Sequence, residues 1–189
     1  MTTANELARY IISEIKKHME GIQPEEFDVT PLKLQKLLYY CQGYSLALTG
    51  KPLFKDKIEA WKYGPVVDSV YQEYKKYNRG IIPYQKIEDE EIPDETLQAI
   101  VRLVLSDKLR YSGTALAQAT HNEAPWKNNY QASCGILYMN AEIPESEMKD
   151  YFVGEFHKRE EDYDDEDICW EKITEQASLS ELEAVLEEI

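Results

Sequence analysis

The chain has 189 residues, 43% of them hydrophobic, and a net charge of −15, which is enough length for one domain with a core of its own. That charge argues against direct nucleic-acid binding, which needs clustered Lys and Arg. No apolar run approaches the ~20 residues of a membrane span, and the N-terminus lacks the basic-then-apolar pattern of a secretory signal. Cys41, Cys134 and Cys169 are odd in number, far apart and form no CxxC, as expected of reduced thiols in a cytoplasmic protein.

In chain order, Leu7, Ile11, Ile15 and Met19 fall on one face of a helix predicted over Asn5–Glu20, with Gly21 to stop it. Thr30-Pro31 reads as an N-cap followed by a first-turn proline. The helix from Pro31 to Thr49 carries Leu34, Leu38, Cys41, Ser45 and Leu48 on a stripe widened by Leu37 and Tyr44, a breadth expected of a central helix. Gly50 and Pro52 end it. Ile58–Tyr63 alternates and is rich in strand formers, so it is expected as a short surface strand with Trp61 and Tyr63 on one side. Gly64-Pro65 breaks it, and Pro65 is expected to open a helix carrying Val67, Val70, Tyr74 and Tyr77.

Asp94 caps a helix predicted to reach about Arg110, and Ser112 starts a short one through Ala119. His121-Asn122-Glu123-Ala124-Pro125-Trp126 reads as a break before a helix-opening proline or a loop. Beyond Ile143 a helix is predicted from Pro144 to about Lys158, followed by seven acids in the eight residues Glu160–Asp167. Ser180 matches a capping box for a last helix. The fold class is therefore mainly α, a compact helical body (1–143) with one or two short strands and an acidic C-terminal extension (144–189). Of the 36 acids and 21 bases, 17 and 4 lie from Glu145 onward, leaving 19 and 17 for the rest. A nearly neutral body thus carries an acidic end.

Phosphate loops of the GxGxxG and GxxxxGK[ST] types, HExxH and GxSxG are all missing, and the three histidines are scattered, so no cofactor or metal is expected. Cys41 with His121 as its base is a conceivable nucleophile pair. Cys41 lies on the apolar stripe, however, where a packed small hydrophobe is the better reading. His121 with Glu123 could exchange protons. With no nucleophile, metal set or phosphate loop beside them, His121 is better read as ending a helix and packing on Trp126.

Three motifs go beyond a generic helical protein. Lys33-Leu34-Gln35-Lys36-Leu37-Leu38-Tyr39-Tyr40, then Trp61-Lys62-Tyr63-Gly64-Pro65-Val66-Val67, then Thr120-His121 and Pro125-Trp126 together resemble the Panacea domain of SocA-like antitoxins and phage-associated GepA-type proteins. The resemblance runs from about Leu7 to Asn128. It implies a helical domain with short strands that acts as the antitoxin of a two-gene pair, neutralising a cognate protein toxin by direct contact. Toxins of such pairs include alarmone synthetase-like enzymes and other blockers of translation, encoded by a neighbouring gene. It also implies an alternative, an adaptor that hands the toxin to a ClpXP-type protease. Many relatives carry a DNA-binding module; here no helix-turn-helix precedes the first helix.

Interfaces favour Tyr and Trp anchors. On that ground the candidate toxin-binding residues are Tyr39, Trp61, Tyr63, His121 and Trp126 in the body. In the acidic end they are Tyr151, Phe152, Phe156 and Trp170, whose charge would suit a basic groove on the toxin. Neither a membrane nor a nucleic acid is expected as a partner.

Overall fold

The computed structural model of the chain describes residues 2–19, 29–83, 87, 89–133 and 141–162. Seven α-helices and one β-hairpin are found among them: α1 (Ala4–Met19), α2 (Pro31–Thr49), β1 (Ile58–Trp61), β2 (Gly64–Val67), α3 (Asp68–Tyr74), α4 (Glu95–Lys108), α5 (Gly113–Asn122), α6 (Ala124–Ser133) and α7 (Glu145–Asp162), with a 3-10 turn at Lys75–Tyr77. The mainly helical architecture with short strands is as the sequence predicts. None of these helices is long and apolar enough to cross a membrane.

Local chemistry sets most of the ends. Thr3 and Glu6 form a reciprocal capping box: the Glu6 carboxylate accepts from Thr3 N at 2.7 Å and Thr3 Oγ1 accepts from Glu6 N at 3.2 Å. Thr30, Asp94 and Ser112 each accept a hydrogen bond from the amide three residues on, at 3.2, 3.0 and 3.1 Å. Gly50 ends α2 in the left-handed region at φ 69°, its amide returning to Leu46 O at 3.1 Å.

Helix α2 is the axis of the fold, buried from Leu34 to Leu48 on every side. It packs against α1, α3, α4, α5, α7 and β2. The apolar stripe accounts for only half of this burial. The polar side chains of the same helix bond to the main chain of the segments packed around it. Lys33 Nζ reaches Leu109 O at 2.6 Å, at the carbonyl end of α4 where a cation suits the helix dipole. Gln35 holds Val67 from both sides, accepting from its N at 2.8 Å and donating to its O at 3.2 Å. Gln42 accepts from Leu53 N at 2.9 Å and donates to Phe54 O at 3.0 Å. Each bond satisfies a backbone group that burial would otherwise leave unpaired, at about 1–3 kcal/mol apiece.

The hairpin corrects one expectation. Pro65 does not open a helix. Residues 64–67 form a second strand, antiparallel to β1 with Ile58 opposite Val67 and Trp61 opposite Gly64, and the helix begins at Asp68. The β-branched pair Val66-Val67 favours the extended state. The Gln35 clamp on Val67 then holds it there, so tertiary bonding overrides the first-turn preference of proline. Tyr63 consequently sits in the Lys62-Tyr63 turn and not on a strand face with Trp61. The outer edge of β1 is covered by residues 141–143, through Ala60 N to Ala141 O and Ile143 N to Ile58 O, both 2.8 Å.

Helix α7 begins just past residue 143, where the acidic extension was expected to start, and lies along α2. Gly43 makes this possible: a Cβ there would stand 2.1 Å from the Phe152 ring. The close approach draws Phe152 and Phe156 into the core beside Tyr39, Tyr40 and Tyr44. The expected helix at Ser180, most of the acidic run, Trp170, Cys134 and Cys169 lie outside the described residues.

Candidate functional site

Two regions bring the sequence-predicted residues together: an aromatic surface on the hairpin and a polar cavity beneath α7. The hairpin is braced before it presents anything. Gly64 adopts φ +96°, and a Cβ on it would lie 2.6 Å from Thr120 Oγ1 and 2.7 Å from Lys36 Nζ. Only glycine suits both the dihedral and the space. Lys36 lies fully buried under this turn and donates to Pro65 O at 2.8 Å. Burial pulls its ammonium down to about 7, with Glu123 acting in the opposite direction.

On the outside, Tyr63 at the tip is 61% exposed, with Lys62 Nζ 5.5 Å above its ring. Trp61 is half-buried; its ring meets Tyr71 at 4.9 Å and its indole N–H donates to Glu59 at 2.7 Å. Tyr71 is exposed. Behind the tip, Trp126 is buried and donates to Trp61 O at 2.8 Å, tying α6 to the hairpin. Trp126 is sandwiched between His121 at 4.1 Å and Tyr130 at 4.5 Å, both rings stacked on it. His121 thus closes α5 and packs on Trp126, as the sequence suggests. Burial foremost, then the Lys36 charge, holds its imidazole below the ordinary range, while the Lys62 backbone pulls upward.

The second region is a cavity of about 40 Å³ lined by Tyr40, Tyr44, Lys108, Glu123, Tyr151, Phe152, Glu155 and Phe156. Glu123 is buried between α5 and α6, and its Oε1 accepts from Tyr40 Oη at 2.8 Å. Its Oε2 has no partner at hydrogen-bond distance, nor does the buried Tyr39 Oη. Burial pushes this carboxyl up; the Tyr40 and Tyr39 hydroxyls and Lys108 pull it back, and Glu155 adds to the rise. Tyr39 biases the carboxylate from nearby without hydrogen-bond geometry. Lys108 pairs with Asp107 at 3.1 Å and sits 4.7 Å over the Tyr40 ring, and Tyr44 donates to the same Asp107 oxygen.

His121 and Glu123 therefore turn to different neighbours, one to Trp126 and the other to Tyr40. Cys41 is buried and its thiol is pushed up by burial, which leaves it a core side chain with little nucleophilic character. Of the predicted contact residues, Trp61 and Tyr63 reach the surface and His121 and Tyr151 are half-buried. Tyr39, Trp126, Phe152 and Phe156 are core side chains in this fold. The sequence named Glu123 only beside His121, and reading by stripe missed the burial of both Lys36 and Glu123. Their one signal was the presence of charge inside otherwise apolar or motif segments.

Residues 34–127 match the family model described as Antitoxin SocA-like, Panacea domain. The chain is also similar to Antitoxin SocA of Caulobacter vibrioides (strain NA1000 / CB15N), with 45% identity over 47 residues, and the match spans a quarter of each chain. No solved structure matches it. The matched region holds α2 from Leu34 onward, the hairpin, the His121–Trp126 pair and Glu123, so most of the motif residues and the braced hairpin belong to one unit. The chain carries the Panacea domain of the SocA-like antitoxin family.

Proposed function

We propose that this chain is the antitoxin of a toxin–antitoxin pair and neutralises a protein toxin by direct contact through the hairpin surface of Trp61, Tyr63 and Tyr71. The observation that supports this reading is the exposure of Tyr63 at the tip of a turn that is rigidly held from below. Tyr and Trp rings grouped at the surface are the side chains that protein interfaces favour as anchors. Two half-exposed rings beside Tyr63 widen the anchor, and the bracing lowers the ordering cost of binding. Membership of an antitoxin family supports the role, and the absence of a His121–Glu123 contact counts against an enzyme built on that pair.

The acidic end is proposed to add electrostatic attraction to a basic toxin surface. Because α7 fills the core against α2, truncation should begin after Asp162; cutting at Ile143 would remove Phe152 and Phe156 and test folding instead.

The test is growth rescue. The product of the neighbouring reading frame is induced with and without this chain, and growth and toxin level are followed together. Rescue by the wild type with toxin still abundant, lost on Trp61→Ala/Tyr63→Ala, is the expected result. Rescue accompanied by protease-dependent loss of toxin would favour the adaptor reading. Full rescue by the double variant would remove the hairpin from the account.

A further inference from the structure

The edge of the hairpin that faces α2 is finished by side chains, not by a strand. On β1, Ala60 N donates to Ala141 O and Ile58 O accepts from Ile143 N, so both residues turn their backbone groups away from β2. Their partners across the hairpin are Pro65 and Val67. In an antiparallel pair, residues opposite such positions point their own groups to the other edge. Among the described residues no further strand meets that edge of β2. Two consecutive side chains of α2 take its place. Val67 offers an amide and a carbonyl, and Gln35, which both donates and accepts, meets them at 2.8 and 3.2 Å. Pro65 offers a carbonyl alone, and Lys36, which only donates, meets it at 2.8 Å. We propose that Lys36 is a positioning residue for the contact surface: its ammonium fixes the turn that carries Trp61 and Tyr63, and it does so while destabilising the fold.

Three observations carry the assignment. Lys36 is fully buried in the central helix, and among the described residues Pro65 O is its hydrogen-bond partner and no carboxylate stands at ion-pair distance. Glu123, between α5 and α6, and His121, on α5, feel its charge only from a distance. Burial outweighs the pull of Glu123 and draws the ammonium down to about 7, the mark of a charge the core holds at a cost. A methionine of similar length would fill the same space without that charge; what it lacks is the donor for Pro65 O. The contact is also tight, since a Cβ on Gly64 would lie 2.7 and 2.8 Å from Lys36 Nζ and Cε. Finally, Gly64 stands opposite Trp61 in the register, with Tyr63 in the turn between them. Whatever fixes Gly64-Pro65 therefore fixes both anchor rings.

That the fixed turn serves toxin contact rests on the antitoxin reading; the hold of Lys36 on the hairpin does not. The full chain and Lys36→Met are compared at pH 6 by urea unfolding, by amide hydrogen exchange followed by NMR, and by titration calorimetry with the product of the neighbouring reading frame. A urea midpoint at or above that of the wild type is expected. Exchange at the Glu59 and Val66 amides should rise at least about tenfold, while Ile100 and Val101 in α4 exchange no faster. The dissociation constant for the toxin should rise at least about fivefold. A variant that fails to fold, or whose midpoint falls with exchange rising equally in the hairpin and α4, would overturn the proposal, because Lys36 would then be a plain stabiliser of the core. Hairpin exchange equal to that of the wild type would overturn it too. Faster hairpin exchange with unchanged affinity, where Trp61→Ala/Tyr63→Ala still weakens the complex, would remove the positioning role. Affinity unchanged in both variants would refute contact through the hairpin instead.

Discussion

Replacing Gly64 by alanine tests the joint between the central helix and the hairpin. The residue sits at φ +96°, where an L side chain costs about 1–2 kcal/mol. Its new Cβ would also meet Thr120 Oγ1 at 2.6 Å and Lys36 Nζ and Cε at 2.7 and 2.8 Å. Thr120 is fully buried and its hydroxyl is engaged with Ala117 O, so it cannot swing away. Lys36 could move only by lengthening its bond to Pro65 O, and overpacking of this kind costs about 1–3 kcal/mol. Together the two effects come to about 3 kcal/mol, a fall in Tm of roughly 6–12 °C for a chain of this size. Urea unfolding followed by far-UV circular dichroism provides the measurement. Gly154→Ala is the internal control: nothing lies within 4 Å of the added methyl in α7, and alanine is the better helix former, so stability should rise by about 0.5–1 kcal/mol. A loss below about 1 kcal/mol at Gly64, or equal losses at both glycines, would refute the bracing argument.

The α2–α7 contact can be dissected by a double-mutant cycle. Gly43→Ala should cost about 1–3 kcal/mol because of the 2.1 Å clash with Phe152, and the cost should vanish in a Phe152→Ala background, with the coupling read from urea midpoints. The buried Lys36 should make stability depend on pH. Its folded pKa, about 7, is below the unfolded value of 10.5, so the unfolded chain binds the extra proton between them and stability rises with pH. Between pH 7 and 8, where an unfolded Cys41 thiol is still largely protonated, the slope should climb toward about 1.4 kcal/mol per pH unit and be lost in Lys36→Met. A wild-type slope equal to that of Lys36→Met would contradict it. Tyr63→Ala should leave the unfolding midpoint within about 0.5 kcal/mol of the wild type, since the ring is exposed at a turn, while weakening toxin binding by about 2 kcal/mol or more. Titration calorimetry beside urea unfolding separates the two effects.

Much of the helical framework is readable without coordinates because its signals are local. Thr30-Pro31, Asp94 and Ser112 announce three helix starts through short side chains that cap the third amide on, and Gly50 announces an end through its left-handed dihedral. The apolar spacing of Leu7, Ile11 and Ile15 gives the buried face of α1. Non-local bonds are what the sequence conceals. The second strand at Gly64–Val67 depends on Gln35, 32 residues earlier, and the two β-branched residues Val66-Val67 are too short a local signal to outweigh a first-turn proline. The capping box at Thr3 and Glu6 is equally local, a threonine followed three residues later by a glutamate. Phe152 and Phe156 resemble free anchors in an acidic segment until Gly43 is seen to admit α7 against α2. Trp61 and Tyr63 were legible as surface candidates because the segment Ile58–Tyr63 is short and alternating, although only Tyr63, in the turn, is fully exposed and Trp61 is half-buried. The cavity was not, since it joins Glu123, Lys108 and Glu155 from three separate elements.

The central claim is that this chain acts by contact with a toxin through the hairpin. Titration calorimetry between the purified chain and its neighbouring gene product, with no protease present, tests it most directly. A saturable complex that forms with the wild type and is weakened at least about thirtyfold, some 2 kcal/mol, by Trp61→Ala/Tyr63→Ala is the predicted result. Equal affinity for the wild type and the folded double variant, or no complex with a toxin that the chain silences in cells, would contradict it.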